Sequence, residues 1–182
     1  EKVFWGRGNG WVFAGLPLLL QTLPKEHPTY NYYLNIYKEM ASSVIKCQDK
    51  NGSWHASMLD PESYPSPENS ASGFFVYGLG WGINQGILKG KKYKKAAQKG
   101  WKALKSYVHE DGMLGYVQPV SAAPEQVTKD MTEVYGVGAF LMAGIEMLKM
   151  KRFKCMPEKA AMDRRRMSGS FFFSFCICCV CC

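Results

Sequence analysis

Two kinds of apolar pattern alternate along this chain. Residues 11–23 are apolar on nearly every position, with Val12, Phe13, Leu16, Leu18, Leu19, Leu20 and Leu23. A helix without a polar face has to be buried all round, and Pro17 inside it is expected to kink it or divide it into shorter pieces. From Pro28 the pattern changes. Tyr33, Tyr37, Met40, Ala41 and Val44 recur at three- and four-residue spacing, with Asn35, Lys38, Glu39 and Ser42 between them. That is the single stripe of a surface helix. Residues 71–87 are again apolar throughout and carry Gly73, Gly78, Gly80 and Gly82, which fits close packing against neighbours. Residues 93–108 return to a stripe of Ala97, Trp101, Leu104 and Val108, and residues 133–147 form a third all-apolar segment.

The punctuation repeats as well. Gln48-Asp49-Lys50-Asn51-Gly52 and Glu110-Asp111-Gly112 read as turns whose glycines stand 60 residues apart. Capping chemistry at Glu68-Asn69-Ser70 and at Asp130-Met131-Thr132 precedes two of the apolar segments, with Ser70 and Thr132 62 residues apart. The period is therefore about 60 residues, one buried helix plus one half-exposed helix. An inner ring touching protein on all sides and an outer ring facing water on one side make an α/α toroid. The expected fold is all-α, an incomplete (α/α)6 barrel of about three inner/outer helix pairs. The loops ahead of the inner helices gather at one end, where a rigid scaffold commonly carries its site.

Composition narrows the function classes. A hydrophobic fraction of 47% belongs to a packed globular chain. The net charge of +8 invites a nucleic-acid reading, yet eight lysines fall between Lys89 and Lys105 and read as one solvated helix face. No aromatic-basic platform accompanies them, so no nucleic-acid partner is expected. Of seven cysteines only Cys47 and Cys155 lie outside the last seven residues. Neither a disulfide framework nor a zinc spacing is present. The compartment is left open, since the chain begins at Glu1 without an initiator Met.

The candidate chemistry stands at the start, in Trp5-Gly6-Arg7-Gly8-Asn9-Gly10-Trp11. It is not a dinucleotide fingerprint, because no strand precedes it and its third glycine comes too early. Read as a glycine-rich loop leading into the first buried helix, it lets a ligand approach the backbone closely. Indole faces stack on a pyranose ring, and a guanidinium pairs with a carboxylate through two parallel hydrogen bonds. Trp-x-Arg-Gly-Asn-Gly-Trp resembles the signature of the unsaturated rhamnogalacturonyl hydrolases, glycoside hydrolase family 105, related to the unsaturated glucuronyl hydrolases of family 88. Asn51-Gly52-Ser53-Trp54, Glu68-Asn69-Ser70-Ala71-Ser72 and residues 133–141 extend the likeness over about residues 4–151.

The resemblance implies an (α/α)6 barrel that removes a 4,5-unsaturated galacturonyl residue from the end of a pectin (rhamnogalacturonan) oligosaccharide. In the family an aspartic acid protonates the double bond while water adds at the neighbouring carbon, and the hemiketal then opens; the resemblance implies no metal or organic cofactor. Carried over, the motif makes Trp5, Arg7 and Trp11 substrate contacts, with Asn9 beside them and His55 added from the loop after Trp54. The family's aspartates and histidine lie upstream of this motif. Residues 1–153 are therefore expected to be the C-terminal half of the barrel, partnered by its N-terminal half, with no catalytic residue of their own and no activity in isolation. Asp49, Asp60, Asp111 and Asp130 read as turn and cap residues, and Glu68 as the residue before a cap. Trp81 and Trp101 read as core. Residues 154–182, with Arg164 to Arg166 and a Phe- and Cys-rich end, are expected to be a disordered or non-native tail. Two competing readings are a non-catalytic carbohydrate-binding remnant and a membrane-associated helical protein anchored by that tail.

Overall fold

A computed structural model describes residues 4–155, with side chains over residues 4–150. It contains five helices: α1 (Gly6–Thr22), α2 (Tyr30–Val44), α3 (Asn69–Asn84), α4 (Lys91–Ser106) and α5 (Val134–Cys155). Among the described residues extended structure is confined to three isolated bridges, Trp5 with Ser57, His55 with Pro67, and Val108 with Leu114. No helix among them is long and apolar enough to cross a membrane. The first two residues of the expected tail close α5, and the rest of it lies outside the described residues.

Helix α3 is the centre. Every residue from Asn69 to Gly82 is buried, and the neighbours come close because α3 or its partner offers glycine at the contact. A Cβ on Gly73 would stand 2.8 Å from the Cβ of Ala139 in α5, and one on Gly80 would stand 2.9 Å from the Cβ of Glu146. On the α4 side Gly100 admits the Val76 methyl, where an added Cβ would lie at 2.6 Å. On the α1 side Gly78 packs under the ring of Phe13. Phe13 in turn stacks on Tyr37 of α2 at 5.3 Å, and the Tyr37 hydroxyl donates to the carbonyl of Gly78 at 2.7 Å. Buried away from water, that phenol is pushed well above its ordinary pKa and stays protonated. Helix α2 shows the expected stripe, with Tyr37, Ala41 and Val44 buried. Helix α4 buries Ala96, Ala97, Gly100, Ala103 and Leu104 and turns its lysines outward.

The structure corrects three expectations. The glycine motif is not a loop: α1 begins at Gly6 and absorbs all of it but Trp5, which is the extended residue before the helix. Gly6 and Gly10 are one turn apart and lie against α3, where a Cβ on Gly6 would meet the Cβ of Ala71 at 3.3 Å and one on Gly10 that of Phe74 at 3.2 Å. Close packing, and not flexibility, explains their spacing. Pro17 does not divide α1, which runs on to Thr22. Finally, only α3 is buried all round. Helix α1 exposes Trp11, Val12 and Leu18, each by about half, and α5 exposes Val134, Val137, Leu141, Ile145 and Leu148. Each of these two helices packs on α3 along one flank and presents an apolar stripe on the other.

Candidate substrate-binding site

The N-termini of α1, α3 and α5 meet at one end, so the second residue of each inner helix reaches the same place: Arg7, Ser70 and Tyr135. Trp5 precedes α1 in extended conformation. The Gly6 amide donates to the carbonyl of Ala56 at 2.7 Å, which fixes the entry of α1 beside the loop before α3.

Arg7 is only 4% exposed. Its Nη1 donates to the carbonyls of Gln118 at 2.6 Å and Pro119 at 2.9 Å, and to the hydroxyl of Tyr135. The Tyr135 hydroxyl donates in turn to the Gln118 carbonyl. The guanidinium lies over the Trp5 ring at 4.7 Å and the Tyr135 ring at 5.1 Å, so two aromatic faces hold it. Only Nη1 is committed: no acceptor among the described residues meets Nε or Nη2. That edge of the planar fork has the geometry to accept a carboxylate.

Gln118 ties the cluster together. Its Oε1 accepts from Trp5 Nε1 at 3.3 Å, and its Nε2 donates to the carbonyl of Ala123 at 2.8 Å. Its main-chain N–H donates to Glu68 Oε1 at 3.1 Å. Glu68 is wholly buried and is itself the N-cap of α3, accepting from the amides of Ser70 and Ala71 and from Ser70 Oγ. Burial pushes its carboxyl above the ordinary range, against the pull of those hydrogen bonds. Tyr135 is likewise raised, first by burial and against the nearby Arg7 charge, so it is a neutral phenol. Trp11 stands at the open side, half exposed, with its ring 4.4 Å from Phe74 and 6.4 Å from Tyr135.

The structure thus brings Trp5, Arg7 and Trp11 together around Tyr135. Asn9 and His55 are not in that cluster. Asn9 donates to the Trp5 carbonyl at 2.9 Å and lines a separate cavity of about 370 Å³ with Phe4, Met40, Cys47 and Met58. His55 is buried, with Nδ1 donating to the carbonyls of Tyr64 at 2.9 Å and Ser66 at 3.0 Å and Nε2 3.4 Å from Asp49. The carboxylates are locally engaged. Asp49 Oδ1 accepts the amides of Asn51, Gly52 and Ser53, Asp60 that of Ser63 and Asp111 that of Met113. Among the described residues no three His, Cys, Asp or Glu side chains gather as a metal site.

Sequence reasoning missed Gln118 and Tyr135. Tyr135 had a signal, since it holds in α5 the position that Arg7 holds in α1. Gln118 had none, because it sits in a loop and acts mainly through its backbone.

Inner helices meeting at one end, with an aromatic-guanidinium cluster at their N-termini, define part of an (α/α)6 toroid. Residues 1–151 match the model of Glycosyl Hydrolase Family 88, and the chain belongs to that family. It is 47% identical over 151 residues to an unsaturated 3S-rhamnoglycuronyl hydrolase of Formosa agariphila, covering 83% of this chain and 40% of that protein. Among solved structures, a family 88 glycosyl hydrolase from Bacteroides vulgatus superimposes with a TM-score of 0.77 at 38% identity, over 82% of this chain and 44% of the other. A structure titled a polysaccharide lyase gives 0.78 at 40% identity, over 87% and 45%. The chain spans less than half the length of the relatives it matches.

Proposed function

We propose that this chain forms the sugar-binding side of a glycoside hydrolase that removes a terminal unsaturated uronic acid from an acidic oligosaccharide. The observation that carries this reading is Arg7. It is a buried guanidinium held between two aromatic rings, with one nitrogen fixed by the protein and one edge of its fork uncommitted. In this reading the edge receives the uronate carboxylate, Trp5 and Trp11 flank the ring, and Tyr135 donates or accepts at a hydroxyl. Asn9 supports the site by fixing the Trp5 backbone, and His55 by tying down the loop beside Gly6. A 4,5-double bond abolishes the C4 stereocentre that separates glucuronate from galacturonate. The Formosa relative's glycuronyl substrate and a galacturonyl one therefore share the same terminal residue, and selectivity between them falls to the sugar behind it.

The acid that protonates the double bond is not among the engaged carboxylates described above, and we assign it to the remainder of the barrel, on a longer form of the same chain. Residues 1–153 are then one half of a single domain. The test uses that full-length protein and an unsaturated uronyl-rhamnose disaccharide, followed by the ultraviolet absorbance of its double bond. The absorbance should fall. Arg7→Lys keeps the charge but loses the planar fork; at about 1.5–3 kcal/mol for a charged hydrogen bond, kcat/KM should drop roughly ten- to a hundredfold. Unchanged kinetics would remove Arg7 from the site. A polymer substrate whose absorbance rises would instead show a lyase, which makes the double bond that a hydrolase of this kind consumes.

A further inference from the structure

The outer face of α4 has an arrangement that the sugar-binding cluster does not use. No Asp or Glu occurs between Asn69 and His109, while Lys89, Lys91, Lys92, Lys95, Lys102 and Lys105 are all exposed. Among the described residues none of these has a carboxylate within salt-bridge distance. Lysines three and four positions apart, such as Lys91 with Lys95 and Lys102 with Lys105, repel one another along the helix. The first turn adds to the cost: Gly90 caps it without a side chain, no acidic residue follows, and Lys91, Lys92 and Lys94 sit against the positive end of the helix dipole. Lys105, in the last turn, is favoured by the dipole, but the first turn and the lysine pairs are not, and a bound anion would offset both. The face from Lys91 to Lys105 is about 20 Å long at ~1.5 Å per residue, enough for several consecutive sugar units.

We propose that this lysine face is a docking surface for a polyanionic polysaccharide, the polymer whose shortened ends the cluster around Arg7 receives. The choice of a polysaccharide over other polyanions rests on the anionic substrate proposed above, and on the absence of exposed aromatic rings interleaved with the lysines for bases to stack on: Tyr93 and Trp101 are both partly buried. Lys92 lies over the Tyr93 ring at 4.9 Å, so even the aromatic beside it is covered by a cation. The surface raises the local concentration of acidic chains and takes no part in bond cleavage.

The probe is saturated polygalacturonate, which has uronates along its length and no terminal double bond, titrated into the full chain by calorimetry. With about five lysines engaged and roughly 0.7 of a counterion released per neutralised charge, affinity should fall about a hundredfold between 50 and 200 mM salt. The triple variant Lys92→Gln, Lys95→Gln, Lys102→Gln should lower the slope by about two, and Lys25→Gln, in the loop after α1, should leave it unchanged. Circular dichroism should show the triple variant at least as helical as the parent, since it relieves repulsion. Equal binding by the triple variant would overturn the proposal. So would binding of duplex DNA, or of vesicles rich in anionic lipid, as tight as that of polygalacturonate at the same charge concentration. Disaccharide binding reports separately on Arg7: its failure with polymer binding intact refutes the proposed substrate site alone, and the reverse refutes the docking surface alone.

Discussion

Glu68→Gln keeps the shape of the N-cap of α3 and removes its charge. The carboxylate serves three main-chain donors, Ser70 at 3.2 Å, Ala71 at 2.8 Å and Gln118 at 3.1 Å, besides the Ser70 hydroxyl on both oxygens. A glutamine has one acceptor oxygen and turns an NH₂ toward at least one of these donors, whereas a protonated carboxyl can direct its O–H to Ser70 Oγ and keeps acceptor capacity on both oxygens. A buried donor left unpaired costs about 1–3 kcal/mol, so the variant should be less stable by about that amount. The pH dependence follows from burial. Unfolded, the carboxyl titrates near 4.3; folded, it titrates higher, because burial disfavours the charged form. Its contribution is therefore fully present below the unfolded value and declines as the pH rises toward the folded one. Urea unfolding of both proteins at a series of pH values from about 4 to 7 isolates this term, since other groups cancel in the difference. The parent's advantage should be largest at the acid end and shrink with rising pH. An advantage that grew with pH would refute the reasoning. It would mean that the hydrogen bonds and the helix terminus outweigh burial and hold the carboxylate ionised. Because Gln118 bridges Glu68 to Arg7, the variant should also bind the disaccharide more weakly.

Gly73→Ala should lower the melting temperature, because the new Cβ would stand 2.8 Å from that of Ala139 and overpacking costs about 1–3 kcal/mol. Gly15→Ala, with nothing within 4 Å, should raise it, since the helix gains about 0.5–1 kcal/mol of stability. The apolar stripes on α1 and α5 should make the isolated chain self-associate, as exposed patches of more than a few hundred Å² do. Sedimentation should show that association and its loss in Leu141→Glu with Ile145→Glu; a dilute, sharply melting monomer from the parent would contradict it.

The helical class and the alternation of inner and outer helices were legible because burial on all sides and burial on one side leave different periodicities. Helices α2 and α4 follow their stripes closely. Less legible was which face of a wholly apolar helix has a neighbour: Leu16 and Leu18 look alike in sequence, yet one is buried and the other half exposed. The opening motif pointed to Arg7 and its two tryptophans, but its glycines read as freedom of the backbone when Gly6 and Gly10 are contacts with Ala71 and Phe74. Gln118 was invisible, since a carbonyl that accepts from Arg7 is present in every residue and only the fold selects it.

The central claim is that the cluster of Trp5, Arg7, Trp11 and Tyr135 binds an unsaturated uronate. Its most direct test is the tryptophan fluorescence of this chain titrated with the unsaturated uronyl-rhamnose disaccharide, with the double-bond absorbance recorded in the same cuvette. A saturable change that is lost in Arg7→Lys at unchanged helicity, with no decay of absorbance, is the predicted result. Binding that survives Arg7→Lys undiminished, or a decay that this chain alone catalyses, would contradict it.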